Sequence, residues 1–143
     1  MIEHFTLERL LPPGHLVALN QETGVLSKLA SVDGLPRVLA EAQFTKSELT
    51  LLTALLRAWP DSAPNEVLYA SFTFTRVNEQ RIEQARQLLQ EAKAEGTWDV
   101  RMRPLRNIMS RVRLKLQESM QVTILTIFET GAILARSKKR GVP

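Results

Sequence analysis

Apolar residues recur along the chain with two different periods, and the switch between them predicts the elements. From residue 14 to residue 43 the apolar runs are short. His15-Leu-Val-Ala-Leu19 is followed by Asn20-Gln-Glu-Thr-Gly24, then Val25-Leu-Ser-Lys-Leu-Ala30, the pair Asp33-Gly34 and Arg37-Val-Leu-Ala40. Runs of this length between Asn, Asp and Gly predict strands, and Asp-Gly signals a hairpin turn. A small antiparallel N-terminal sheet is expected. Leu7-Glu-Arg-Leu-Leu11, ahead of Pro12-Pro13-Gly14, fits either another strand or a helical turn.

The period changes at Thr45. Thr45-Lys-Ser-Glu48 is a capping box, and Phe44 and Leu49 stand where a hydrophobic staple needs them. Leu49, Leu52, Leu55, Leu56 and Trp59 share one helical face, and Pro60 ends the helix. A short second helix is expected from Pro64 to about Ser71. Asn78 is a candidate cap for a third helix that reaches Glu95 and stops at Gly96. Its apolar stripe (Ile82, Ala85, Leu88, Leu89, Ala92) is narrow and the remainder is charged or amide-bearing.

A fourth helix is expected over about Pro104–Gln117. Leu105, Ile108, Met109, Val112 and Leu116 cluster within about 100° of arc. The opposite face carries Arg103, Arg106, Asn107, Ser110, Arg111, Leu114 and Gln117. Gln121-Val-Thr-Ile-Leu-Thr-Ile-Phe128, the turn Glu129-Thr-Gly131 and Ala132-Ile-Leu-Ala135 then predict a C-terminal β-hairpin. Ser137–Pro143 is expected as a basic tail.

Composition narrows the function classes. The 143 residues are 44% hydrophobic and 24% charged, one domain's worth with material for a core. Cysteine is absent, which excludes a disulfide framework, a thiolate metal site and a cysteine nucleophile. His4 and His15 lack metal-ligand spacing, no Gly-rich phosphate loop follows a strand, and no nucleophile–base arrangement is recognisable. The expectation is therefore no enzyme, no cofactor and no metal. The longest apolar run is far short of the ~20 residues of a membrane-crossing helix, and the N-terminus lacks a signal-peptide pattern. A cytoplasmic location is expected.

The net charge of +4 conceals a division. Residues 1–97 carry nine Lys/Arg and twelve Asp/Glu, net −3; residues 98–143 carry ten Lys/Arg and three acids, net +7. Such asymmetry points to an anionic partner for the C-terminal half. Arginine and asparagine read base edges bidentately, whereas serine and lysine contact phosphates. Aromatic residues make up 6% of the chain, too few for a single-strand stacking surface.

The order of these parts resembles a winged helix-turn-helix, and the residues resemble one family. Phe44-Thr-Lys-Ser-Glu-Leu-Thr-Leu-Leu-Thr-Ala-Leu-Leu-Arg57 is similar to the first helix of the effector domain of OmpR/PhoB-type bacterial response regulators. Met109-Ser-Arg-Val-Arg-Leu-Lys-Leu116 resembles the end of its recognition helix. Ile124-Leu-Thr-Ile-Phe-Glu-Thr-Gly-Ala-Ile-Leu134 resembles its wing. The resemblance covers about residues 15–136. It implies an α+β winged helix with an N-terminal sheet, a C-terminal wing and, here, an extra helix before the recognition helix.

Three departures stand out. The family's wing usually has two glycines and a tyrosine, whereas this chain has Glu129 and Ala132 at two of those positions, and an acid there would repel phosphate. No receiver domain is expected, because the effector uses up the length. The segment from about Thr73 to Trp98 is longer than the family's link, which faces RNA polymerase in family members. The resemblance thus implies the Asn78–Glu95 helix as a polymerase surface, while packing as a buttress is the plainer alternative.

The resulting expectation is a sequence-specific regulator that binds double-stranded DNA, as a homodimer or tandem pair because one helix covers few base pairs. Arg103, Arg106, Asn107 and Ser110 are the candidates for base or nearby phosphate contact. Arg111, Arg113, Lys115, Arg136 and Lys138 are the candidates for phosphate neutralisation. Thr45 and Lys46 are candidates for backbone donation to a phosphate at a helix N-terminus. The alternative is a winged-helix protein–protein adaptor. RNA or ribosome binding is a weaker third reading, given the scarcity of stacking residues.

Overall fold

The computed structural model describes residues 1–74 and 76–137. The chain is α+β, with four helices and two antiparallel sheets among the described residues. The first sheet holds β1 (Ile2–Phe5), β2 (His15–Asn20), β3 (Val25–Val32) and β4 (Leu35–Gln43), paired in chain order. Strand β1, which the sequence pattern did not announce, pairs Ile2 with Asn20 and Phe5 with Val17. The ambiguous Leu7–Leu11 stretch forms a tight turn, with both Leu10 and Leu11 N–H bonded to the Leu7 carbonyl, and buries all three leucines. Asp33 and Gly34 both take positive φ, 53° and 78°, and Val32 faces Leu35 across them. That is the two-residue hairpin which the Asp-Gly pair encodes, since its twist matches the strands.

Helix α1 (Lys46–Ala58) begins with the expected capping box: Thr45 and Glu48 satisfy each other's backbone N–H groups. Strand β5 (Ala63–Pro64) leads into α2 (Asn65–Thr73). Pro64 therefore caps α2 from an extended conformation and does not start it, because it is held in a sheet by Gly131. Helix α3 (Glu79–Glu95) runs as expected between the Asn78 cap, whose side chain accepts the Arg81 N–H at 2.9 Å, and Gly96 at φ 74°. Its buried stripe narrows to Ala85, Leu89 and Ala92, which packs on α2 and on the following helix.

The largest departure concerns that next helix. α4 spans Trp98–Met120, not Pro104–Gln117. At the Gly96 turn the Thr97 N–H bonds back to the Ala92 carbonyl at 2.8 Å, and the Arg101 N–H then takes the Thr97 carbonyl at 2.9 Å as the first bond of the new helix. Pro104 falls in the second turn. There it deprives only the carbonyl of the exposed Val100 of its helical donor. Trp98 and Met102 pack toward the core and reward the additional turns.

The chain closes with β6 (Val122–Ile127) and β7 (Gly131–Arg136), the hairpin that was expected. With β5 it forms a three-stranded sheet in the order β5-β7-β6. A single apolar cluster joins residues from Leu7 to Leu134 and involves both sheets and all four helices. Gly131 is the tightest joint: a Cβ there would run into the Ala63 carbonyl oxygen. Gly131→Ala is expected to pry β5 from β7 and to cost about 1–3 kcal/mol, read as a lowered denaturation midpoint. An unchanged midpoint would show that this joint tolerates a methyl group.

Candidate nucleic-acid interface

Helix α4 shows three sides. The side with Leu105, Met109, Val112 and Leu116 is buried. One flank meets β4 and α1, where Lys115 donates to Glu48 Oε1 at 2.6 Å and to the Gln43 carbonyl at 2.9 Å. The other flank meets the β6–β7 hairpin. Arg113 Nε donates to the Ile124 carbonyl at 3.0 Å, and Gln117 donates to the Thr123 hydroxyl at 2.8 Å. Held at both flanks, the helix turns Arg103, Asn107, Ser110, Arg111 and Leu114 outward, all exposed. Seen from solvent, α4 is a basic ridge with amide and hydroxyl groups beside a projecting hairpin.

The sequence candidates divide according to these contacts. Arg103 and Arg111 have no ion pair among the described residues and stand on the ridge. Arg106 is exposed too, but its Nη2 donates to Asp99 Oδ1 at 2.9 Å. Arg113 is half-buried and serves as a brace for the β6 edge. Lys115, expected at a phosphate, is instead the partner of a buried carboxylate, and its ammonium also lies 5.4 Å from the Phe44 ring centre. Arg136 is exposed at the end of β7, at the far end of the hairpin from its tip. Lys138 lies outside the described residues.

At the start of α1, Lys46 is exposed, but Thr45 is committed. Its hydroxyl accepts the Glu48 N–H, and its own N–H donates to Glu48 Oε1 at 2.9 Å. The Thr45 N–H and the Lys115 ammonium are thus both engaged by Glu48 in one internal cluster.

Two acids behave differently from what sequence position implied. Glu129 sits at the hairpin turn, where its charge was expected to oppose phosphate. Its carboxylate is bound by Lys93 of α3 at 3.0 Å, so the turn presents a paired charge. The same Lys93 ammonium lies 5.6 Å from the Trp98 ring centre. Asp99 was read as lying ahead of the helix and is in its first turn. An open groove of about 520 Å³ separates α4 from the hairpin, floored by Met102, Leu105 and Met109 and rimmed by Trp98, Phe128 and Arg106.

Glu48 was assigned only a capping role from sequence, and its burial went unforeseen. Burial pushes its carboxyl up. The hydrogen bond from Lys115, those from Thr45 and the Lys115 charge outweigh that and hold it below its ordinary value of 4.5. Because the folded form is the stronger acid, this stability is fully present above about pH 4.5 and is lost as pH falls below it. Glu48→Gln is therefore expected to flatten the acid limb of the stability–pH curve. Lys115→Met alone should cost about 3 kcal/mol, since it strands a buried charge. The double variant Glu48→Leu/Lys115→Met should regain part of that loss in chemical denaturation.

Among the described residues no group of three His, Cys, Asp or Glu is placed to hold a metal ion, and no helix is long and apolar enough to cross a membrane. No family model, curated protein or solved structure matches the chain.

Proposed function

We propose that this protein is a winged helix-turn-helix transcription regulator that binds double-stranded DNA in a sequence-specific way, with α4 in the major groove and the β6–β7 hairpin as the wing. In this reading α1, α2 and α4 are the three helices of the motif, and α3 is an added brace. The observation that carries the proposal is the ridge of Arg103, Asn107, Ser110 and Arg111, clamped on both flanks and open in front. A major groove about 12 Å wide admits one helix, and these are the side chains that read base edges and phosphates.

The added helix favours this assignment of roles. Arg86 pairs with Glu66 of α2 at 3.5 Å and Lys93 with Glu129 of the hairpin, so α3 ties these two elements together. That is the work of a buttress. A polymerase contact through the 73–98 segment is the alternative role for this helix; pairing of two copies on adjacent half-sites is a further part of the proposal. No catalytic or cofactor role is proposed.

A second reading, a protein–protein adaptor, draws on specific exposed apolar side chains: Phe128 at the hairpin tip is 86% exposed and Leu114 on the ridge 54%. The two readings diverge under salt. A DNA-binding ridge should lose affinity steeply as salt rises, because phosphate neutralisation releases counterions. Arg111→Ala is expected to weaken all duplexes alike and to reduce the salt slope by about one. Asn107→Ala should relax base preference at one position, with about 1–3 kcal/mol of discrimination lost. Failure of every duplex to bind more tightly than about 10 µM at low salt would rule the DNA reading out and leave the adaptor.

A further inference from the structure

Asp99 and Arg106 are seven residues apart, close to two helical turns, so they stand on the same flank of α4 roughly 10 Å apart along the axis. The ion pair at 2.9 Å therefore needs Arg106 to reach back toward the N-terminal end of the helix. That end is the one which recognition helices present to base edges. The pair is wet: the side chains are 51% and 80% exposed, so it adds little to stability. Its effect is on orientation. Among the described residues Arg103 and Arg111 have no ion pair, whereas Arg106 is oriented by a carboxylate.

Building on the DNA reading above, we infer that Asp99 and Arg106 act together as a reader of a G·C base pair, with Arg106 donating to guanine and Asp99 as its positioning residue. A guanidinium carries five donors, and the one spent on Asp99 leaves others for guanine O6 and N7. Biasing the side chain beforehand, even by an exposed pair, lowers part of the entropy lost on contact. A carboxylate offers about four acceptor sites and Arg106 takes one. The remainder can accept a cytosine N4 amine, the base-edge donor that aspartate matches. Asp99 also repels phosphate, so the pair disfavours a slide of Arg106 onto the backbone. The positive end of the helix dipole supports an acid in the first turn.

The test is selection of bound sequences from random duplexes by the full chain, followed by affinity measurements on selected and scrambled duplexes. The wild type is expected to select a guanine that Arg106→Ala no longer selects. Asp99→Ala is expected to lose that same guanine preference by about 5- to 100-fold. It should also bind scrambled duplexes more tightly, because one repelling charge is gone. Asp99→Asn, which retains an acceptor without the charge, should keep part of the preference. Helix content and thermal midpoint are measured alongside, and neither should move far. If Asp99→Ala raises affinity for every duplex and leaves base preference intact, Asp99 is only a surface charge and the inference is overturned. If Arg106→Ala leaves the selected sequence unchanged, the inference fails while the DNA reading stands. If the wild type binds no duplex, the DNA reading fails and takes this inference with it.

Discussion

The contact on which the arrangement depends is the pairing of a buried carboxylate with a lysine from the opposite end of the chain. Glu48 is almost fully buried. A charge in that position is tolerable only with a partner and several hydrogen bonds. Its carboxylate takes one from the Thr45 N–H at the start of α1, where it closes the capping box, and one from Lys115 on α4. Lys115 in turn bonds the last carbonyl of β4. Three elements distant in sequence therefore meet at one charge: the end of the first sheet, the start of α1 and the middle of α4. The roll of α4 about its own axis follows. With Lys115 fixed on one side and Arg113 on the β6 edge at the other, Arg103, Asn107, Ser110, Arg111 and Leu114 face solvent between the two flanks.

This geometry changes the meaning of the charge asymmetry. The C-terminal half looked like a uniformly cationic surface from its net charge of +7. Much of that charge is spent internally. Arg113 braces a strand edge, Lys115 serves Glu48, Arg106 is held by Asp99, and Arg101 donates to the Tyr69 hydroxyl at 3.5 Å. Arg136 is exposed at the end of β7, and Lys138, Lys139 and Arg140 lie outside the described residues. On α4 what remains is narrower than a basic patch: Arg103 and Arg111, without an ion pair among the described residues, beside Asn107 and Ser110, with Arg106 held by Asp99 next to them. Such a surface suits recognition better than simple attraction, because directed side chains discriminate while diffuse charge only concentrates a polyanion.

Local chemistry made much of the fold legible. The Thr45–Glu48 capping box, the Asn78 and Gly96 caps, the Asp33-Gly34 turn and the terminal hairpin each depend on a few adjacent residues, and each was readable from the chain alone. The failures are long-range. β1 has no pattern of its own and exists because β2 offers it an edge. Pro64 resembled a helix start until its pairing with Gly131 placed it in a strand. Pro104 resembled another and hid two turns of α4, since the packing of Trp98 and Met102 outweighs the single bond that proline gives up. The candidate site divides in the same way. The outward positions of Arg103, Asn107, Ser110 and Arg111 follow from helical periodicity. The diversion of Lys115 to Glu48, the neutralisation of Glu129 by Lys93 and the Asp99–Arg106 pair follow from tertiary contacts that no local spacing encodes.

The central claim is that the outward ridge of α4 is the surface that meets duplex DNA. Backbone amide shift mapping on the isotope-labelled chain, titrated with a duplex at low salt, tests it most directly. The account predicts shifts concentrated on residues 103–114 and on the β6–β7 hairpin, with α3 and the first sheet largely silent. Shifts centred on α3, or no shifts at saturating duplex, would contradict it.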